Sequence, residues 1–312
     1  MLKNVFRTVA VKKASKQIQL VDALTEESPI LAMLPMQASS DGLKNAYEKV
    51  ISITGAKLLP LDGVLPTINK EGTLSTTTLS LMGGQIEVGE DKANEYGGHI
   101  KYFADQMPLI LRETGNAIEQ SIFTNSFRDY CLTTGNFQSA GGALADKMNT
   151  MVCVKYTPGE TIGLYNENGF GRGQVFDMLP LSGGAVYKDS NGVLVYGMRI
   201  KSHIGIQLAH ERNVSAIVNI DLTPDGTSDT GYKALPTLAQ INKMIRDARG
   251  NPANTAIYCN HAVMDAIGEA YKGSMMSLPG DARDFNTALA EWKGISIIPS
   301  YNIEESTEEV VS

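Results

Sequence analysis

The stretch Leu194-Val195-Tyr196-Gly197-Met198-Arg199-Ile200-Lys201-Ser202-His203-Ile204-Gly205-Ile206-Gln207-Leu208 alternates in polarity from end to end. One set of positions, Leu194, Tyr196, Met198, Ile200, Ser202, Ile204, Ile206 and Leu208, is apolar at seven of eight. The alternate set is Val195, Gly197, Arg199, Lys201, His203, Gly205 and Gln207. A period of two puts successive side chains on opposite faces of a strand, so the pattern predicts a half-buried strand or a bent pair of strands. At about 3.3 Å per residue a single strand would approach ~50 Å, well beyond the usual length. Val214, Ala216, Val218 and Ile220 repeat the alternation shortly afterwards. Gly141–Asp221 therefore reads as almost purely β, with Asn168-Gly169 and Asn191-Gly192 as turns.

Upstream lies the clearest helix. Between His99 and Leu132, apolar residues recur at Phe103, Met107, Ile110, Leu111, Ala117, Ile118, Ile122, Phe127 and Tyr130. Spacings of three and four mark one helical face. Proline is tolerated in a first turn, so Pro108 predicts a regular helix over about 108–132, roughly 37 Å long. Thr133-Thr134-Gly135-Asn136 marks its end. Before it, Leu43–Thr54 and Thr73–Leu81 read as two strands around Gly55–Gly72, which carries Pro60, Asp62-Gly63 and Pro66. The run Leu74-Ser75-Thr76-Thr77-Thr78-Leu79 is too polar to be buried on either face, so this hairpin is expected to project. Val21–Leu34 reads as a short helix interrupted by Pro29, with the apolar run to Pro35 docking on something.

Downstream, Thr223–Gly231 reads as a linker and a domain boundary, because Pro224 and Asp225-Gly226 break the pattern. Beyond it Leu238, Ile241, Ile245 and Ala248 define a helix ended by Arg249-Gly250-Asn251-Pro252. Thr255–Cys259 is a short strand, and Asn260 a candidate cap for a helix over His261–Lys272. After the loop Ser274–Asp284 and a third helix, Gly294–Pro299 gives another strand. The predicted class is α+β, divided into 1–40, 41–97, 98–222 and 232–312.

At 312 residues and 43% apolar content the chain can bury a real core, and its length suggests roughly two domains. The net charge of −7 argues against a chain that binds nucleic acid over its whole surface. The charge is uneven. Lys3, Arg7, Lys12, Lys13 and Lys16 stand in Met1–Val21 without an acid, whereas Glu304, Glu305, Glu308 and Glu309 form a tail with no basic partner. Two readings stay open: solvated ends, or a basic arm that docks on an acidic patch of another chain. Cys131, Cys153 and Cys259 are widely spaced, as expected of buried thiols in a reducing compartment. Arg7 and the Lys12-Lys13 pair interrupt any signal peptide, and no run approaches the ~20 apolar residues of a membrane helix. The expected location is the cytoplasm, unless the chain leaves within a particle.

No motif for chemistry emerges. Gly169-Phe170-Gly171-Arg172-Gly173 has the wrong spacing for a dinucleotide loop and is followed by a strand pattern. His99, His203, His210 and His261 lack metal-ligand spacing, and Glu87, Glu90 and Asp91 read as a solvated loop. No nucleophile-elbow motif occurs.

The element order of arm, long hairpin, long helix, β layer and α/β unit resembles the Hong Kong 97 type of tailed-bacteriophage major capsid protein. The stretches that carry the resemblance are Glu27-Ser28-Pro29-Ile30-Leu31 with Leu34-Pro35, then Val195-Tyr196-Gly197-Met198-Arg199 leading to Gly205-Ile206-Gln207-Leu208-Ala209. Arg212-Asn213-Val214-Ser215-Ala216-Ile217-Val218-Asn219-Ile220 continues them. The resemblance covers most of the chain. It implies an N-arm (1–40), an E-loop (41–97), a P-domain with a spine helix (98–222) and an A-domain (232–312). It further implies a structural subunit without catalytic activity, cofactor or membrane contact. Its partners would be its own copies, as pentamers and hexamers of an icosahedral shell, and a portal. The shell would enclose double-stranded DNA without sequence-specific binding, in a virion assembled in the host bacterial cytoplasm.

About 40 residues precede the hairpin, too few for a built-in scaffold, so a separate scaffolding protein is expected. The Lys, Asn and Glu of cross-linking relatives match no positions here, so no cross-link is predicted. The expected assembly contacts are Lys3, Arg7, Lys12, Lys13 and Lys16 in the arm, facing a neighbour or packaged DNA. Lys57 and Asp62 at the hairpin tip, and Glu304 and Glu305 in the tail, complete the set. The rivals are an encapsulin-like compartment shell, a soluble α+β enzyme, and a phage decoration or tail protein.

Overall fold

Pro29 opens a helix instead of interrupting one. The computed structural model describes residues 28–61, 63–143, 147–166, 176–228, 230–271, 276–277 and 290–311. In it α1 (Pro29–Met33) begins on that proline, whose missing N–H is no loss in a first turn. Ile30, Leu31 and Leu34 are buried in the core. The rest of the predicted Val21–Leu34 helix lies outside the described residues. β1 (Met36–Ala38) follows, then β2 (Lys44–Thr54), β3 (Asn69–Thr78) and β4 (Ser80–Gly89). α2 (Glu90–Glu95) holds Glu90 and Asp91 in its first turn, where carboxylates suit the positive end of the helix dipole.

The long helix starts earlier than predicted. α3 (His99–Ser121) contains Pro108 in its interior and passes through a π-helical segment (Ile122–Arg128) into α4 (Asp129–Thr134). The proline removes one backbone hydrogen bond, while Phe103, Met107 and Leu111 on the flanking turns are buried and hold the helix to the sheet. Gly135, at φ 72°, closes the helix in the left-handed conformation that glycine adopts without a steric penalty. The buried stripe recurs at every fourth residue: Phe103, Met107, Leu111, Gly115, Glu119, Phe123, Phe127 and Cys131. Ala117 is exposed and Ile118 only half-buried, so at mid-helix the predicted apolar face gives way to a polar group, Glu119.

β5 (Phe137–Ser139), β6 (Asn149–Lys155), β7 (Thr161–Tyr165), β8 (Phe176–Pro180) and β9 (Tyr187–Lys188) lead to β10 (Leu194–Leu208). β10 is one continuous strand, and its length has a use. Along one edge it pairs with β4, from Val195↔Gly89 to Ile204↔Ser80. Along the other it pairs in succession with β9, β8 and β7. Full burial moves from Val195 and Gly197 to Ile200, Ser202 and Ile204, then to Gln207, so the deepest positions change face twice.

β11 (Val214–Pro224) heads a second sheet with β12 (Tyr232–Ala234), α5 (Leu238–Asp247), β13 (Thr255–Cys259) and α6 (His261–Ala270). β14 (Met276–Ser277), β15 (Ala290–Trp292) and β16 (Ile295–Pro299) complete it. The strand order is β12-β11-β6-β13-β16-β15-β14, with β5 beside β11. β11 is not half-buried as its alternation predicts; both faces are covered. Val214, Ala216 and Val218 face the core that holds α1 and the long helix. Ile217 and Ile220 pack with Ile241 and Met244 of α5 and with Val263 and Ile267 of α6.

The Thr223–Gly231 stretch is a hairpin turn, since Asp221 pairs with Ala234 and Pro224 with Tyr232. β6 pairs with β11 on one side and β13 on the other, so strands before and after this turn share one sheet. A capping box of Thr237 and Gln240 starts α5, and the Asn260 side chain accepts the Val263 N–H to start α6. The Gly169–Gly173 string and most of Ser274–Asp284 lie outside the described residues.

Candidate assembly surfaces

The hairpin carries the most exposed apolar surface. β2 and β3 pair from Lys44↔Thr78 to Thr54↔Asn69, with a register shift between Val50 and Ser52. Its base is tied to the body: Asn45 Nδ2 donates to Gln207 Oε1, Gln207 Nε2 donates to the Gly159 carbonyl at 2.7 Å, and Lys49 Nζ lies 3.1 Å from Glu211 Oε1. Along the ribbon Lys70 Nζ meets Glu48 Oε2 at 2.7 Å. Between the strands Leu58, Leu61, Val64, Leu65 and Ile68 stand in solvent, Val64 at 90% and Leu65 at 86% exposure. Lys57 is exposed among them. Asp62, the other expected tip contact, lies outside the described residues. Monomeric proteins rarely display so many large apolar side chains together.

The C-terminal segment is docked, which corrects the expectation of an acidic tail without a basic partner. Arg128 Nε lies 3.1 Å from Glu308 Oε2, each side chain only 13% exposed, and the Thr150 hydroxyl also donates to Glu308. Met148 and Glu308 exchange both backbone hydrogen bonds. Asn219, at φ 57°, accepts the Val311 N–H at 2.8 Å and donates Nδ2 to the Val311 carbonyl at 2.7 Å. Glu304 accepts from Gln120 Nε2 at 2.7 Å while staying exposed, as does Glu305. Glu308→Ala should therefore leave Arg128 largely buried without its partner and cost about 3 kcal/mol. Limited proteolysis should cut the segment near 304–311 faster; unchanged cleavage would show the ion pair is not what holds it.

Glu119 is the group that sequence reasoning missed. It is fully buried. Oε2 accepts the N–H groups of Ile30 (2.8 Å) and Leu31 (3.4 Å); Oε1 accepts the Ser300 hydroxyl and Asn302 Nδ2 (3.2 Å). One carboxyl thus joins α1, α3 and the segment after β16. Burial pushes its pKa above the usual carboxylate range, while the bonds from Ser300, Asn302, Ile30 and Leu31 pull it the other way.

The groups considered for chemistry have structural uses. His99 stacks on Tyr196 at 4.2 Å and His261 on Tyr301 at 3.7 Å. His210 Nδ1 accepts the Arg212 N–H at 3.1 Å. Glu87 accepts the Tyr187 hydroxyl at 2.8 Å. Among the described residues no three of His, Cys, Asp and Glu are grouped to hold a metal. Burial pushes the Cys131 and Cys259 thiols up to about 12, which keeps them protonated. A groove of about 650 Å³ between α3 and β10 is lined by Ile100, Phe103, Met107, Met178 and Met198, and is apolar. Lys3, Arg7, Lys12, Lys13 and Lys16 lie outside the described residues.

No protein-family model matches the chain, and no curated protein sequence matches it significantly. Solved structures do. The capsid of bacteriophage JBD30 superposes over 96% of this chain and 98% of its own, with a TM-score of 0.55 at 10% identity. A structure from bacteriophage Epsilon15 superposes over 88% of this chain and 87% of its own, with a TM-score of 0.54 at 16% identity. Over nearly its whole length, this chain has the mixed α+β fold of a bacteriophage capsid subunit.

Proposed function

We propose that this chain is the major structural subunit of a tailed-phage head, of the Hong Kong 97 type, and forms an icosahedral shell around double-stranded DNA. The exposed apolar hairpin tip carries the reading. An anchored ribbon that ends in solvent-facing Leu58, Leu61, Val64 and Leu65 suits contact with another copy. Heterologous contacts repeated around five-fold and six-fold axes close a shell, and each can be modest because many act together.

On this reading the N-arm, E-loop, P-domain and A-domain are 1–40, 41–97, 98–222 and 232–312. Lys57 and Asp62 serve hairpin contacts, and Glu304 and Glu305 serve tail contacts. The basic arm with Lys3, Arg7, Lys12, Lys13 and Lys16 meets a neighbour's acidic surface or DNA. A portal and a separate scaffolding protein complete assembly in the bacterial cytoplasm, and the product is the virion capsid. The chain catalyses no reaction. Electron microscopy of the purified protein, alone and co-expressed with the scaffolding protein, should show closed polyhedral particles. Small discrete oligomers in both preparations would overturn the reading.

A further inference from the structure

A notch of about 380 Å³ at one end of the second sheet is lined by Arg212, Arg246 and Arg249, together with Asn136, Glu211 and Asp247. Glu211 is already neutralised by Lys49 at 3.1 Å, and Asp247 lies 3.6 Å from Arg246 Nε. Arg212 and Arg249 have no carboxylate partner among the described residues, and both are exposed. The notch is thus a cationic recess. It lies where β11 begins, since Asn136 Nδ2 donates to the carbonyls of Val214 and Glu211.

The other end of the same strands presents the opposite chemistry. Ile220 pairs with Asn149, whose Oδ1 accepts the Ser306 N–H at 2.8 Å and so fixes the loop after β16. That loop shows Tyr301, 86% exposed and stacked on His261, with exposed Glu304 and Glu305. Val214 to Ile220 spans about 20 Å at strand rise, so loop and notch of one molecule cannot meet.

We infer that Tyr301, Glu304 and Glu305 of one copy dock into the Arg212–Arg246–Arg249 notch of the next. Guanidinium groups pair with carboxylates through fixed forks and stack on tyrosine faces, so the two ends match in chemistry. Unlike ends in contact make a head-to-tail interface, which repeats around a ring. The inference rests on the reading that copies of this chain assemble, and names one contact by which they do.

Charge reversal tests it in the full chain. R212E/R246E/R249E and E304K/E305K should each cut particle yield at least about tenfold, as like charges now meet. Both sets in one chain should restore particles, with thermal midpoints unchanged throughout. Normal yield from either set alone, or no rescue in the combined chain, would overturn the contact. A chain with Arg249→Cys and Glu305→Cys tests the contact without closed shells: oxidation should give disulfide-linked multimers that neither single variant forms. Monomer alone would refute the contact, even if the unmodified protein forms particles by other means.

Discussion

Replacing Leu58, Leu61, Val64 and Leu65 together by serine is expected to leave the folded subunit intact and abolish particle formation. All four side chains stand in solvent, so the subunit gains nothing from them on folding. Exposed positions away from caps and pairs usually change stability by less than about 0.5 kcal/mol. In an interface the same residues contribute roughly 1.5–3 kcal/mol each through burial, before association costs. A contact that loses several kcal/mol at every repeat cannot close a shell. Calorimetry should give an unchanged melting temperature, and velocity sedimentation should show no large species. Particles at normal yield would mean that the tip is decorative.

Glu119→Ala should have the largest effect on the subunit itself, a loss of roughly 3 kcal/mol. The carboxyl satisfies two backbone N–H groups of α1, the Ser300 hydroxyl and the Asn302 amide. Each buried donor left without an acceptor costs about 1–3 kcal/mol, partly offset because a buried charge is also removed. The pH dependence separates this group from a merely packed one. Burial raises its folded-state pKa above the ordinary 4.5. Its protonation therefore favours the folded state: that contribution is complete below about pH 4.5 and is lost as pH rises through the raised value. Glu308 is raised with the same sign, also by burial first. Glu119→Gln should remove its share of this decline, read as melting temperature between pH 4 and pH 8, and leave the share of Glu308. An identical profile in the Gln variant would count against the raised pKa.

Much of the architecture was legible because it obeys local periods. The alternation of Leu194–Leu208 specifies a strand whatever surrounds it, and the prolines and Asp62-Gly63 of 55–72 specify an interruption between two strands. Errors arose where distant chain segments decide. Pro108 reads as a helix start locally, yet the turn before it is kept by Phe103, which packs with Val88 and Ala93. β11 reads as half-buried because α5 and α6, which cover its second face, come later in the chain. Thr223–Gly231 has the composition of a linker, and only the Asp221↔Ala234 pairing makes it a turn within a sheet.

The assembly surfaces divide the same way. The exposed tip follows from a hairpin too polar to be buried, so Lys57 could be placed from sequence. Glu119 could not. Its partners lie 88 to 183 residues away, and a lone glutamate on a helix reads as solvated. Glu308 was counted with a free tail because nothing local signals Arg128.

The π-helical segment sets the phase of the long helix. On an α-helix four residues advance about 400°, so a stripe that recurs every fourth position drifts by about 40° per step. From Phe103 to Glu119 that drift carries the contact line nearly halfway around the rod. The wider turn over Ile122–Arg128, bonded i to i+5, reverses the drift, so that Phe123, Phe127 and Cys131 still point into the same core. The rod behaves like a screw whose thread is reversed for one segment. The number of residues in that segment is therefore a fixed angular setting. One residue fewer would restore α pitch and turn everything beyond by about 100°, and Arg128 would swing off Glu308 while the helix stayed helical.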